Sequence, residues 1–135
     1  MRIDDPLRKR VAERASFCCE YCHYPERFSP SSFETEHIKP QSAGGLTKLH
    51  NLALACSHCN AHKAVRQKGI DPLTKKRVRL FNPRTARWSK HFTLDPTTGK
   101  IEGLTPIGRA TVEALRMNDL QPLTARRNLI ELDVL

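Results

Sequence analysis

The sequence predicts a small α+β protein: a strand–loop–strand–helix core stapled by four cysteines, then a short β-hairpin and C-terminal helices. Three observations carry that prediction. Two CxxC pairs, Cys19/Cys22 and Cys56/Cys59, bracket the core. Between them, residues 32–38 read as a strand ending at Pro40, a loop with Gly44-Gly45 follows, and Leu52–Ala55 reads as a second strand. Further on, Asp95-Pro-Thr-Thr-Gly99 has the composition of a hairpin turn between 91–94 and 100–104.

The remaining elements follow from local signals. Asp5 as cap and Pro6 at the first helical position open a helix, and Leu7, Val11, Ala12 and Ala15 continue it at helical spacing to about Ser16. Residues 17–23 form the first cysteine knuckle, and 25–32 a Pro- and Ser-rich loop. A helix is expected over 60–67, stopped by Gly69. Residues 77–81 read as a strand, and Thr105-Pro106 caps a helix with Ile107, Ala110, Ala114 and Leu115 on one face. Residues 122–132 form a last helix. No internal repeat or low-complexity segment is visible. The expected organisation is a core over 1–70 and a basic β/α extension over 71–135, packed on or beside it.

The chain has 135 residues, is 39% hydrophobic and only 6% aromatic. Such a modest core commonly needs a staple, and a bound metal is one. Lys and Arg number 23 against 14 Asp and Glu, a net charge of +9. That charge suits a polyanionic partner, most simply nucleic acid. No apolar run reaches membrane-spanning length, and no hydrophobic segment follows the first charges. The expected compartment is therefore a reducing cytoplasm, where cysteines are metal ligands more often than disulfide partners. Cys19, Cys22, Cys56 and Cys59 can supply four thiolates to a structural zinc, closed to water by its four protein ligands. His23 and His58 are alternative ligands. Cys18 is the cysteine left over, expected to be a small buried hydrophobe.

Within this frame stand Glu36-His37-Ile38-Lys39-Pro40, Gly44-Gly45-Leu46-Thr47, Asn51-Leu52 and Cys56-Ser-His-Cys59-Asn60-Ala-His-Lys63. The string resembles the HNH endonucleases, in the subgroup with a zinc-binding CxxC pair on each side, over roughly residues 11–63. The resemblance implies a ββα-metal fold. It implies His37 as the general base that deprotonates water, and Asn51 as the residue that bonds across the loop and orients that base. Glu36 and Asn60 would hold a catalytic Mg²⁺ or Mn²⁺, with His62 as the alternative to Asn60. Lys63 would contact phosphate.

The residue chemistry agrees independently. Phosphodiester cleavage needs an activated water and relief of charge on the leaving oxygen. A neutral imidazole titrating near ~6.5 suits the first task. Mg²⁺ prefers sparse oxygen ligation that leaves positions for water and phosphate. Neighbours on a strand point to opposite faces, so joint action of Glu36 and His37 requires the strand to distort at its end. Arg66, Arg77, Arg79, Arg84 and Arg87 are candidate nucleic-acid contacts, interleaved downstream with Phe81, Trp88 and Phe92. The plainer reading, a core role, is favoured for Phe81 and Phe92. The expected partner is DNA, with RNA the alternative, and a targeting protein could supply specificity. A zinc-stabilised nucleic-acid-binding module without catalysis is the competing function. Neither an oligomeric state nor a biological role is legible.

Overall fold

The computed structural model describes residues 3–135, and these divide into two compact units. One comprises the residues up to Gln67 together with Asn82–Thr85; the other comprises Lys68–Phe81 and Ala86–Leu135. The class is mixed α and β, with three antiparallel strand pairs and five α-helices among the described residues. No helix among them is long and apolar enough to cross a membrane.

The first unit is built on helix α1 (Asp5–Arg14), strands β1 (Glu34–His37) and β2 (Leu52–Ala55), and helix α2 (Ser57–Lys63). Asp4, not Asp5, caps α1, accepting from the Leu7 amide at 2.9 Å. The two strands pair antiparallel, with Glu36 opposite Ala53 and His37 opposite Leu52. All four β2 residues are buried, because α1 and α2 both pack on this sheet. A two-stranded sheet leaves its outer backbone groups to be satisfied elsewhere. The Leu54 amide donates to Glu20 Oε2 at 2.8 Å, and the Leu54 carbonyl accepts from the Glu20 amide at 2.8 Å. The Leu52 carbonyl accepts from Arg14 at 2.6 Å and Arg84 at 3.2 Å. The first cysteine knuckle and two arginines thus close the edge of β2.

Helix α2 begins before Cys59 rather than after it. Cys56 is its cap, with Sγ accepting from the Cys59 amide at 3.4 Å. It ends at Lys63 because Ala64 turns to φ 47°, ψ −125°, well before Gly69.

The second unit holds the ribbon β3 (Lys68–Ile70) and β4 (Arg77–Arg79), the short α3 (Trp88–His91), the hairpin β5 (Phe92–Leu94) and β6 (Ile101–Gly103), then α4 (Pro106–Ala114) and α5 (Leu120–Glu131). Gly69 lies inside β3, where a Cβ would come within 3.1 Å of Leu80 Cδ2. Phe81 and Phe92 are buried and meet edge to face with ring centres 5.1 Å apart, which places both in a core as favoured above. Thr105 caps α4 as its sequence predicts. Buried positions on α4 include Ala110 and Thr111, whereas Ile107 is half-exposed.

A short repeat escaped the sequence reading. Asp71-Pro-Leu-Thr-Lys-Lys76 and Asp95-Pro-Thr-Thr-Gly-Lys100 close β3–β4 and β5–β6 in the same way. In each, the aspartate amide donates to the lysine carbonyl six positions into the motif, and the fifth residue donates back to the aspartate carbonyl. That fifth residue has positive φ in both, 64° at Lys75 and 78° at Gly99.

Candidate metal and nuclease site

The four cysteines converge. Their sulfurs all lie within 4.8 Å of one another, and Cys22 Sγ is 3.7 Å from Cys56 Sγ. A tetrahedron with Zn–S near ~2.3 Å requires sulfur separations of about 3.8 Å. The donor set therefore fits a structural zinc. Hydrogen bonds from Cys19, Cys22 and Cys59 pull the Cys56 thiol far below its usual range, while contacts with Cys19 and Cys22 push Cys59 well above it. His23 and His58 are not in this cluster, and Cys18 stays outside it, half-buried.

The first knuckle also reaches the Glu-His pair. Tyr21, inside Cys19-x2-Cys22, is buried and donates its hydroxyl to Glu36 Oε1. Lys63 Nζ donates to Glu36 Oε2 at 3.1 Å and to the carbonyls of Ile38 at 2.9 Å and His37 at 3.3 Å. Burial pushes the Glu36 carboxyl up from its usual value; Lys63 and the Tyr21 hydroxyl oppose that rise. Lys63 is only 2% exposed. Its ammonium, expected to contact phosphate, is here hydrogen-bonded to Glu36 and two carbonyls. Arg84, expected as a nucleic-acid contact, pairs with Glu20 and the Leu52 carbonyl. Arg66, Arg77, Arg79 and Arg87 are exposed.

His37 lies on the other face of β1, half-buried. Its Nε2 shares a 2.9 Å hydrogen bond with Thr47 Oγ1, which also accepts from Gln41 Nε2 at 3.3 Å. Burial, reinforced by the nearby Lys63 charge, lowers the imidazole pKa. Asn51 is buried and knits the loop: Oδ1 accepts from the Lys39 amide at 2.9 Å, and Nδ2 donates to the carbonyls of Lys39 at 3.0 Å and Leu46 at 2.9 Å. Gly45 is required in this loop, because a Cβ there would meet the Lys39 carbonyl oxygen at 1.8 Å.

A cleft of about 340 Å³ lies beside the end of β1. Glu36, His37 and Asn60 all line it, with Thr35, Gln41 and Ala64 among the other walls. His62 is not in its lining; its Nδ1 lies 2.8 Å from the His58 carbonyl and its ring rests against that of His58. Asn51 is not among the residues that line the cleft. Tyr21 and Thr47 join the site without a sequence signal of their own. Both lie within the sequence motifs, Tyr21 in the first CxxC and Thr47 beside the glycine pair.

Residues 19–66 match the family model described as HNH endonuclease. That segment is similar to an HNH domain. The match spans well under half of the 135-residue chain and contains all four cysteines, Glu36, His37, Asn51, Asn60 and Lys63. No curated protein and no solved structure matches the chain. The HNH family is in general one of nucleases, and the matched segment carries a four-cysteine cluster suited to zinc.

Proposed function

We propose that the HNH domain hydrolyses phosphodiester bonds of DNA, with His37 as general base and Glu36 and Asn60 as ligands of a catalytic Mg²⁺ or Mn²⁺. One observation carries this reading: Glu36, His37 and Asn60 line a single cleft, although Glu36 and His37 leave β1 on opposite faces. The donor set, a carboxylate and an amide oxygen, fits a hard cation. Such a cation would supply charge relief at the leaving oxygen. A carboxylate offers about four acceptor positions, so the hydrogens from Tyr21 and Lys63 leave Glu36 room for further ligation.

Thr47 holds the imidazole of the base in place through Nε2. If Nε2 carries the ring proton and donates to Thr47 Oγ1, then Nδ1 holds the lone pair that takes a proton from water. The lowered pKa keeps the imidazole neutral, and hence basic, near neutral pH. Asn51 fixes the loop that carries Thr47, and so acts as a positioning residue. Lys63 and Tyr21 aim the Glu36 carboxylate from the protein side.

The test is nicking of supercoiled plasmid by zinc-replete protein with Mg²⁺, Mn²⁺ or no divalent cation. His37→Ala should lose about 10²- to 10⁴-fold in rate while zinc content and folding persist. Full activity in that variant would sink the assignment. The engagement of both Glu36 oxygens is the one observation that favours a non-catalytic binding module, and that reading predicts DNA binding without cleavage by the wild type. A reducing cytoplasm is the proposed compartment, because the cluster needs its thiols unoxidised. A separate protein that supplies targeting is part of the same proposal.

A further inference from the structure

The β3–β4 ribbon has two unlike faces. Gly69 and Val78 turn toward α4, and a Cβ on Gly69 would sit 3.4 Å from the Ala110 carbonyl oxygen. The other face presents Lys68, Ile70, Arg77 and Arg79, all exposed. The register sets Lys68 directly opposite Arg79. Like charges in that position repel and weaken a ribbon. Among the described residues no acidic group forms an ion pair with Lys68, Arg77 or Arg79. The repulsion is therefore uncompensated within the described chain.

The ribbon is also held stiff. Asp71 is buried at its turn and takes both arms of the Arg109 guanidinium, at 2.9 and 3.0 Å. The same carboxylate accepts from the Leu73 amide at 3.0 Å and the Thr74 hydroxyl at 2.8 Å. A rigid support lowers the ordering cost when its cations meet a ligand.

We infer that the outer face of the β3–β4 ribbon docks duplex DNA, with Lys68, Arg77 and Arg79 each meeting a backbone phosphate. This rests on the nuclease reading for its choice of DNA. Charge complementarity selects a polyanion, and the absence of any aromatic ring from these four outward positions argues against single strands, which are held largely by stacking. A two-stranded ribbon also matches a groove about 12 Å wide.

The experiment is binding of a labelled 20-base-pair duplex by His37→Ala protein without added divalent cation, across a salt series. On that background, Lys68→Gln/Arg77→Gln/Arg79→Gln is compared with Lys9→Gln/Arg10→Gln/Lys48→Gln, which removes equal charge from exposed positions elsewhere. The ribbon variant should bind more than tenfold more weakly at ~0.1 M salt, with the slope of log K against log salt reduced by roughly 2 to 3. The control should lose much less. Arg77→Gln alone should reduce the slope by about 1, which keeps the test open if the triple variant melts early. Parental affinity and slope in the ribbon variants would overturn the inference, as would a loss equal to the control's. Tighter parental binding to single-stranded DNA, to RNA or to an acidic protein would also overturn it. Duplex bound through the ribbon but left uncut by protein with His37 intact would overturn the nuclease reading alone. Cleavage with unchanged ribbon-variant binding would overturn the ribbon alone.

Discussion

Lys63 and Glu36 form a buried ion pair inside the first unit. Their side chains are 3% and 6% exposed and meet at 3.1 Å, so each neutralises a charge that burial penalises. Removing one member strands the other. Lys63→Met should therefore lower stability by about 3–5 kcal/mol, a large share of the 5–15 kcal/mol typical of a domain. A lysine that only touched phosphate would melt unchanged on the same substitution. Thermal melts of Lys63→Met and of Glu36→Gln/Lys63→Met check the cause, because the double variant should recover much of the loss. Ala64 offers a change of opposite sign. Its φ of 47° with ψ −125° is a glycine conformation held by a residue with a Cβ. Ala64→Gly should raise stability by up to about 1 kcal/mol, read as a higher denaturation midpoint. An unchanged or lower midpoint would mean that the unfolded-chain entropy of glycine outweighs the strain relieved.

At the scale of elements, the two Asp-Pro turns show what local sequence does and does not disclose. Asp95-Pro-Thr-Thr-Gly99 was legible because glycine advertises positive φ. Its twin hid because Lys75 occupies that place, at φ 64°. There the strain is offset by Asp71, which the Arg109 guanidinium, with help from the Leu73 amide and Thr74 hydroxyl, holds well below the usual carboxylate range. The sign follows directly: a depressed carboxylate contributes stability that is present above its unfolded pKa of about 3.9 and disappears as pH falls through the lower folded value. The melting-temperature advantage of the wild type over Asp71→Asn should accordingly be full at pH 7 and shrink steadily below about pH 4. An advantage independent of pH would exclude the ion pair as its source. The cysteines, β2 and the Thr105 cap were legible for similar local reasons, each being a periodic or chemically specific signal. The start of α2 was misplaced because Cys56 caps with sulfur, outside the usual Ser, Thr, Asp and Asn signals. The buried partners of Glu36 were illegible because Tyr21 and Lys63 lie 15 and 27 residues away along the chain and meet it only through the fold.

Over the whole molecule, the cysteine cluster and the second unit answer to different stabilising forces. In the first unit the cluster is joined to α2, to β2 and, through Tyr21, to Glu36 at the cleft. Cys56 caps α2, Glu20 completes the edge of β2, and Tyr21 supports Glu36. Apparent zinc-binding free energies of about 10–16 kcal/mol rival a whole domain's stability, so losing the metal should unfold this unit rather than loosen it. The second unit has its own buried residues, among them Phe81, Phe92, Ile101, Leu115, Met117 and Leu129, and none of the four clustered cysteines. Chelation to zero bound zinc should therefore strip hydrogen-exchange protection from β2 and α2 while β5, β6 and α4 keep theirs. Refilling with zinc, and not with Mg²⁺ alone, should restore the lost protection. Intact protection in β2 at zero zinc would show that the apolar contacts of Leu52–Ala55 with α1 and α2 suffice to hold the unit, and that the cysteines are not its staple.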